Sequence, residues 1–355
     1  MANIKDVARL AGVSISSVSN ALNGTRYVSD ALRDRVLQAV RTLDYAVDPI
    51  ARSLKSSVTM TMGVVLTSIN RVFFPQVLSG MQAAAERHKY SLLIYATNDD
   101  YEKEKQYVAM LAGQRVDGII LDSVAPPTDR AYYQHLAALR HNKKRIPVLS
   151  LERSLERHGI PSLYVDNAQG ARVAVEHLLA CGCGRILHIR GPQSAQMARH
   201  RLRGYRHALR GAGIAYDARL DVAGDFSPGS GYRATRHLLE SATAFDGVFA
   251  DNDQMAIGAI KALKERRLQI PGDVKVAGYD NTFVSSIVSP ALTTIHVPKY
   301  EMGQEAVQML CRQLALPPEE ADGARATQHV KLATSLLVRE STNGSREENW
   351  AMEDW

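Results

Sequence analysis

The first residues with usable chemistry in this chain are Ser14, Ser16, Ser17, Ser19 and Asn20, with the aliphatic Ile15 among them. Hydroxyls and an amide can hydrogen-bond base edges and phosphate oxygens, and an aliphatic side chain can touch a thymine methyl group. Cations surround them, since Arg9, Arg26, Arg33, Arg35, Arg41, Arg52 and Lys55 all precede residue 60. Phosphates neutralised by such groups release counterions, which makes binding fall steeply with salt. Net charge over the 355 residues is +6, which permits nucleic-acid binding without requiring it.

The elements that must hold these residues are legible around them. Ile4, Val7, Ala8 and Ala11 recur at helical spacing and turn one face of a short helix inward. Gly12 breaks that helix, and Ser14 can cap a second one. Val18, Ala21 and Leu22 then face inward and leave Ile15, Ser16, Ser17 and Asn20 outside. Two short helices about a glycine-containing turn match the helix-turn-helix, which lays its second helix in the DNA major groove. An ordinary helical pair in a small bundle has the same periodicity. Ser29 can cap a third helix from Asp30 to about Asp44, and the three enclose one small α-helical core over residues 1–47.

Residues 48–60 open on Asp48-Pro49, a helix-start signal, but have length for about two turns and little apolar surface. They read as a hinge linker, coil when free and helical against a second copy and DNA. Leu54 beside Lys55 fits an apolar wedge entering a minor groove with a cation alongside.

From Thr61 the pattern changes to β-rich runs at 62–66, 91–95, 117–121, 147–151, 162–165, 185–189, 245–250 and 274–279, alternating with amphipathic helical stretches. This is the α/β signature of parallel sheets covered on both faces. The strands are too many for one sheet, and the series divides near Glu152 to Pro161. Residues 61–340 are therefore expected to form two doubly wound parallel-sheet lobes with a ligand cleft at the carboxyl ends of the strands. One strand is expected over Val330 to Val338, and the polar, acidic residues from about 341 to 355 read as a disordered tail.

Composition excludes several classes. No apolar run approaches the roughly 18 to 20 residues of a membrane span, and no signal-peptide core opens the chain, so a cytoplasmic protein is expected. Three cysteines argue against a disulfide scaffold; Cys181 and Cys183 form a lone C-x-C without the further ligands a metal needs. No metal site and no cofactor is expected. Glu152 and Asp280 could be imagined as a glycosidase pair, but the chain has no P-loop, nucleophile elbow or metal cluster, and a non-enzyme is expected.

Several stretches occur together in one order: IKDVARLAGVS with VSNALN, ARSLK, RVDGIIL, VDNAQGARVAVEHL, RLRGYRHAL, DNDQMAIGAI, VAGYDN and SPALTTIHVPKYEMG. In these the chain resembles the LacI/GalR family of bacterial transcription regulators over nearly its whole length. The resemblance implies a homodimer on a pseudo-palindromic DNA operator, a minor-groove hinge, and an effector domain like periplasmic sugar-binding proteins. It implies that Ile15, Ser16 and Asn20 read bases and that Ser17 and Ser19 lie nearer phosphates. Ile4, Ser14, Asn23, Arg26, Ser29, Leu54 and Lys55 complete the implied DNA contacts. Asn20 stands where the family often has Arg, and an amide pairs with adenine where a guanidinium prefers guanine, so the half-site is expected to differ.

Strand ends and family positions together converge on Phe73, Phe74, Glu152, Arg201, Phe226, Asn252 and Asp280 as effector-binding residues. Charged groups offer bidentate partners to sugar hydroxyls, and aromatic rings cover C–H faces. A sugar or sugar acid is the expected effector, with Arg71 and Arg153 as candidate carboxylate partners. A purine is the alternative, sandwiched by Phe74 and Phe226. Ala195 and Met197 stand against it, because purine-responsive members have hydrogen-bonding side chains there. The expected role is repression of a carbohydrate-utilisation operon.

Overall fold

The computed structural model describes residues 2–23, 26–45, 58–142, 144–241, 243–316 and 329–343. The chain divides between Thr59 and Met60 into two compact units.

The first unit holds three helices, α1 (Ile4–Ala11), α2 (Ile15–Asn23) and α3 (Asp30–Thr42). Asn3 starts α1 with a capping box: its side chain accepts from the Lys5 and Asp6 amides, and Asp6 accepts from the Asn3 amide at 3.0 Å. Gly12 ends α1 at φ 66°, a conformation that costs a residue without Cβ little. Val7, Ala8, Ala11, Val18, Ala21, Val36 and Ala39 form the core. Ser29 occupies the N-cap of α3, yet its side chain makes no capping hydrogen bond and is exposed.

The second unit is built of two lobes. The first sheet contains β1 (Thr61–Leu66), β2 (Ser91–Ala96), β3 (Gly118–Leu121), β6 (Val148–Leu151), β7 (Ser162–Val165) and β13 (His329–Leu332), in the order β13-β7-β6-β3-β1-β2 and parallel throughout. The short β4 (Arg140–His141) and β5 (Lys144–Arg145) form a separate ribbon. Helices α4 (Phe74–Arg87), α5 (Tyr101–Gly113) and α6 (Arg130–Ala137) belong to this lobe. The second sheet orders β8 (Ile186–Arg190), β9 (Asp221–Ala223), β10 (Gly247–Ala250), β11 (Lys275–Asp280), β12 (Thr293–His296) and β14 (Ser335–Leu337) as β14-β12-β11-β10-β8-β9. Only β14 runs antiparallel. Its helices are α7 (Asn167–Ala180), α8 (Gln196–Gly211), α9 (Pro228–Glu240), α10 (Asp253–Glu265) and the short α11 (Phe283–Ile287). Interior strands such as β3 and β10 are buried along their whole length because helices cover both faces.

The lobe boundary differs from the expected one. β7 still pairs with β6 in the first sheet, and the chain crosses at Asp166, beyond Glu152 to Pro161. It returns after Val297 into α12 (Lys299–Ala315), which packs on α4 and on β3, β6 and β7. It crosses a third time between Leu332 and Ser335, so the single strand expected over 330–338 is two strands in different sheets. Alternating apolar residues cannot distinguish one long strand from two short ones joined at a crossing. The expected tail also begins too early: α13 (Glu340–Asn343) is ordered, Ser341 donates to the Val276 carbonyl at 2.6 Å, and Thr342 meets Thr293 at 2.7 Å. Residues 344–355 lie outside the described residues.

Helix α12 reaches α4 through two glycines. A Cβ on Gly303 would stand 2.0 Å from the Val77 carbonyl oxygen, and one on Gly80 the same distance from that of Tyr300. Backbone cannot yield as a flexible side chain can. Gly303→Ala should therefore destabilise this unit by about 1 to 3 kcal/mol through overpacking. Urea unfolding measures it, and an unchanged midpoint would contradict the close packing.

Candidate functional site

In the first unit the side chains of α2 are arranged by one serine. Ser14 Oγ accepts the Ser17 amide at 3.1 Å and lies 2.7 Å from Ser16 Oγ and 2.9 Å from Ser17 Oγ. This caps the helix and gathers three hydroxyls at its N-terminus, where backbone N–H groups favour anions. Ile15 remains 44% exposed, an apolar side chain with no packing reason to be there. Ser16 is exposed, whereas Ser17, Ser19 and Asn20 are half-buried. Arg26 and Ser29 are exposed, as are Arg9, Arg33, Arg35 and Arg41. Ile4 is half-buried against the core of the three helices, so its side chain is a packing residue. Leu54, Lys55 and the side chain of Asn23 lie outside the described residues. Tyr27, 95% exposed, and Leu10, 53% exposed, were not in the expected set. Tyr27 beside Arg26 was the available signal, since an aromatic in a basic loop has little use in a three-helix core.

In the second unit all seven expected effector residues line one narrow cavity between the lobes, with Arg71, Met197 and Gln254. An outer cavity shares Arg71, Glu152 and Met197 with it and adds Thr67, Asp99, Asp122, Arg153 and Ala195. The inner wall is set by Arg201, on α8 and only 2% exposed. Its Nε donates to Asn167 Oδ1 at 2.8 Å, Nη1 to the Asp251 carbonyl, and Nη2 to Asp280 Oδ1 at 3.3 Å. The guanidinium also lies 3.7 Å over the Tyr279 ring. Phe73 and Phe74 meet edge to face, 5.3 Å apart at 88°. Across the cleft Arg71 covers the Phe226 ring at 4.8 Å, while Asp99 holds its Nη2 at 2.6 and 2.8 Å. Asn252 donates to the Phe226 carbonyl at 3.0 Å and accepts the Met255 amide at 3.0 Å, so it orients Phe226 besides facing the cavity.

Residues 3–48 match the bacterial regulatory proteins of the lacI family, and residues 175–342 match a periplasmic binding protein-like domain. A ribose operon repressor of Halalkalibacterium halodurans is 33% identical over 97% of this chain and 98% of its own. A transcriptional repressor PurR of Edwardsiella ictaluri is 36% identical over 96% and 97%. The chain belongs to the lacI family of bacterial regulatory proteins. The lac repressor dimer bound to operator and the anti-inducer ONPF has the same fold, with a TM-score of 0.83 at 30% identity over 96% of this chain and 99% of that one. This lacI-family member is therefore a DNA-binding transcriptional regulator with an effector-binding domain. No helix among the described residues is long and apolar enough to cross a membrane.

Behind the cavity the regulator holds its charges in a second layer. Asp251, whose carbonyl receives Arg201, accepts His188 Nε2 at 2.9 Å and the Gly191 amide at 2.7 Å. Lys299, 3% exposed, donates to the carbonyls of Asp280 and Asn281 at 2.6 and 2.8 Å. Arg153 does not reach the inner cavity as a carboxylate partner: its Nη1 donates to the Ala125 carbonyl and Tyr133 Oη, each at 2.6 Å. Cys181 is half-buried and Cys183 buried, and no cluster among the described residues could hold a metal ion.

Burial pushes Glu152 up to about 8, with the Asp122 carboxylate adding to it and Arg201 opposing. Burial likewise raises Asp280 to about 7 against the pull of Arg201. An acid with a raised folded-state pKa binds more protons folded than unfolded, so stability falls as pH rises through that interval. For Glu152 the interval runs from 4.5 to about 8. The thermal midpoint of the ligand-free protein should therefore decline across it, and Glu152→Gln should flatten that decline. An identical pH slope in variant and parent would show that Glu152 is not held protonated.

Proposed function

We propose that the chain represses a carbohydrate-utilisation operon and releases its operator when a neutral sugar fills the interlobe cavity. The observation that carries this reading is the pairing inside that cavity. Both guanidiniums already face carboxylates, Arg71 with Asp99 and Arg201 with Asp280. Glu152 and Asp122 add two further buried acids, the latter accepting Thr67 Oγ1 at 2.7 Å. Such a wall offers donors and acceptors to hydroxyls and no unmatched positive charge to a sugar acid. The purine alternative, which the PurR relatives fit, requires a base to displace Arg71 from one face of Phe226 before it can stack there. The ribose repressor among the relatives supports a sugar of pentose size.

The domain reading is a headpiece over 1–47, a hinge over 48–60, an effector domain that runs from 61 through α13 to 343, and a tail. The hinge, with Leu54 as the minor-groove wedge and Lys55 beside it, transmits the lobe arrangement to the DNA-binding helices. Two copies meet a pseudo-palindromic operator. The protein works in the cytoplasm, where its DNA is, and returns its ligand chemically unchanged. Ile15, Ser16 and Asn20 of α2 read bases, with Ser14, Ser17, Ser19, Arg26 and Ser29 on phosphates.

Fluorescence anisotropy of a matched operator, titrated with a panel of neutral sugars, sugar acids and nucleobases, tests the effector. A neutral sugar should weaken operator binding; a response to purines alone would replace this reading with the purine one. Asn20→Ala should relax base preference at one half-site position by about 1 to 3 kcal/mol. Binding-site selection reads that change, and an unaltered profile would remove Asn20 from base contact.

A further inference from the structure

Beside the effector cavities lies a wider basin, enclosing about 1860 Å³ together with the solvent above it. It touches the outer cavity at Arg153 and Gln196, which line both. Arg130, Arg153, Arg157 and His158 reach it from the first lobe, His200 and Arg203 from α8 of the second. Glu156 is the only carboxylate among its described lining residues. Arg130, Arg157 and Arg203 are exposed and form no ion pair among the described residues. This contrasts with the inner cavity, where each guanidinium has a carboxylate partner.

The floor of the basin is fixed. Tyr133 is fully buried, its hydroxyl bonded to Arg153, and the His158 ring lies over its own at 4.5 Å. The crowding of positive charge shows in the imidazoles. Burial, then Arg203 and Arg199, push His200 down to about 4, and burial with Arg130 lowers His158. Like charges gathered from two elements with a single carboxylate among them repel one another, and an anion seated among them reduces that repulsion.

We propose that this basin is a second ligand site, taking a phosphate monoester, distinct from the sugar site of the inner cavity. A phosphate dianion presents several oxygens to guanidinium forks, which bind them bidentately. The inner cavity offers that group no unpaired guanidinium, since Arg71 faces Asp99 and Arg201 faces Asp280. Because cations come from both lobes, the occupant ties the lobes together. It then biases the regulator toward whichever lobe arrangement brings α8 to the 153–158 loop, by the difference of its affinities for the two states.

The test is calorimetry on the full-length protein with ribose 5-phosphate, ribose and inorganic phosphate as probes, repeated on Arg157→Ala/Arg203→Ala and on the corresponding double Lys variant. Both positions are exposed, so the variants should fold, and the neutral-sugar response of the operator assay reports that they do. Ribose 5-phosphate should bind the parent, weaken tenfold or more in the Ala pair, and recover partly in the Lys pair, while the operator response to neutral sugar stays as in the parent. Affinity for the ester unchanged by the Ala pair overturns the site. So does inorganic phosphate binding as tightly as the ester, which marks an adventitious ion only. Failure of every sugar to move the operator, with ester binding intact, would sink the sugar reading and leave this one standing.

Discussion

A guanidinium taken out of water costs several kcal/mol unless its charge is paired and its donors are filled. Arg201 is 2% exposed, and the fold around the cleft meets that demand from four directions. Asn167 comes from the first turn of α7, the Asp251 carbonyl from the end of β10, Asp280 from the end of β11, and the Tyr279 ring from within β11. These are strand ends and a helix start of the second lobe, so the charge sits where a parallel sheet opens its carboxyl edge. A ligand hydroxyl that enters meets donors already aimed, with little ordering left to pay for.

The facing carboxyl edges of the two sheets carry the backbone conformations that L-residues avoid. Glu152, Phe226, Asp280 and Asn281 have φ of 63°, 68°, 102° and 51°. Each such residue costs on the order of 1 to 3 kcal/mol and persists only where its surroundings over-determine it. The surroundings here are specific: Asn252 holds the Phe226 carbonyl, and Lys299 collects those of Asp280 and Asn281. Lys299 stands at the second crossing between the lobes, so the residue that fixes the bend at Asp280 also starts the helix that returns to the first sheet.

Much of this was legible in the sequence, for identifiable reasons. The helix spacing of Ile4, Val7, Ala8 and Ala11 and the glycine at 12 determine the first turn of the headpiece locally, without help from distant contacts. The seven cavity residues were found because a parallel sheet places function at strand ends and the family motifs mark those ends. Topology was harder. The crossing at Asp166 depends on β7 pairing with β6, and the split of 329–337 depends on which sheet each half joins. Pairing partners far apart in sequence leave no trace in local periodicity. Arg71 was seen as a charge but not as the cover of Phe226, and Gln254 was missed, because both act across the cleft.

Two of those cross-cleft contacts bear on how a small molecule could control so large a body. Arg71 lies on Phe226, and the Val72 amide donates to Gln254 Oε1 at 3.2 Å. Both sit at the cavity mouth and both join the 71–74 turn of the first lobe to the second. A cation over an aromatic ring contributes about 0.5 to 2 kcal/mol, and one neutral hydrogen bond a net 0.5 to 1.5. The three chain crossings fix the lobes' connectivity. Contacts worth a few kcal/mol are small enough for one ligand to outweigh and large enough to define two states. A sugar that displaces Arg71 from Phe226, or braces it there, therefore shifts the lobe equilibrium by an amount comparable to its own differential binding. A tighter interface would have made the domain indifferent to its effector, and a looser one would have left no arrangement for the hinge to report.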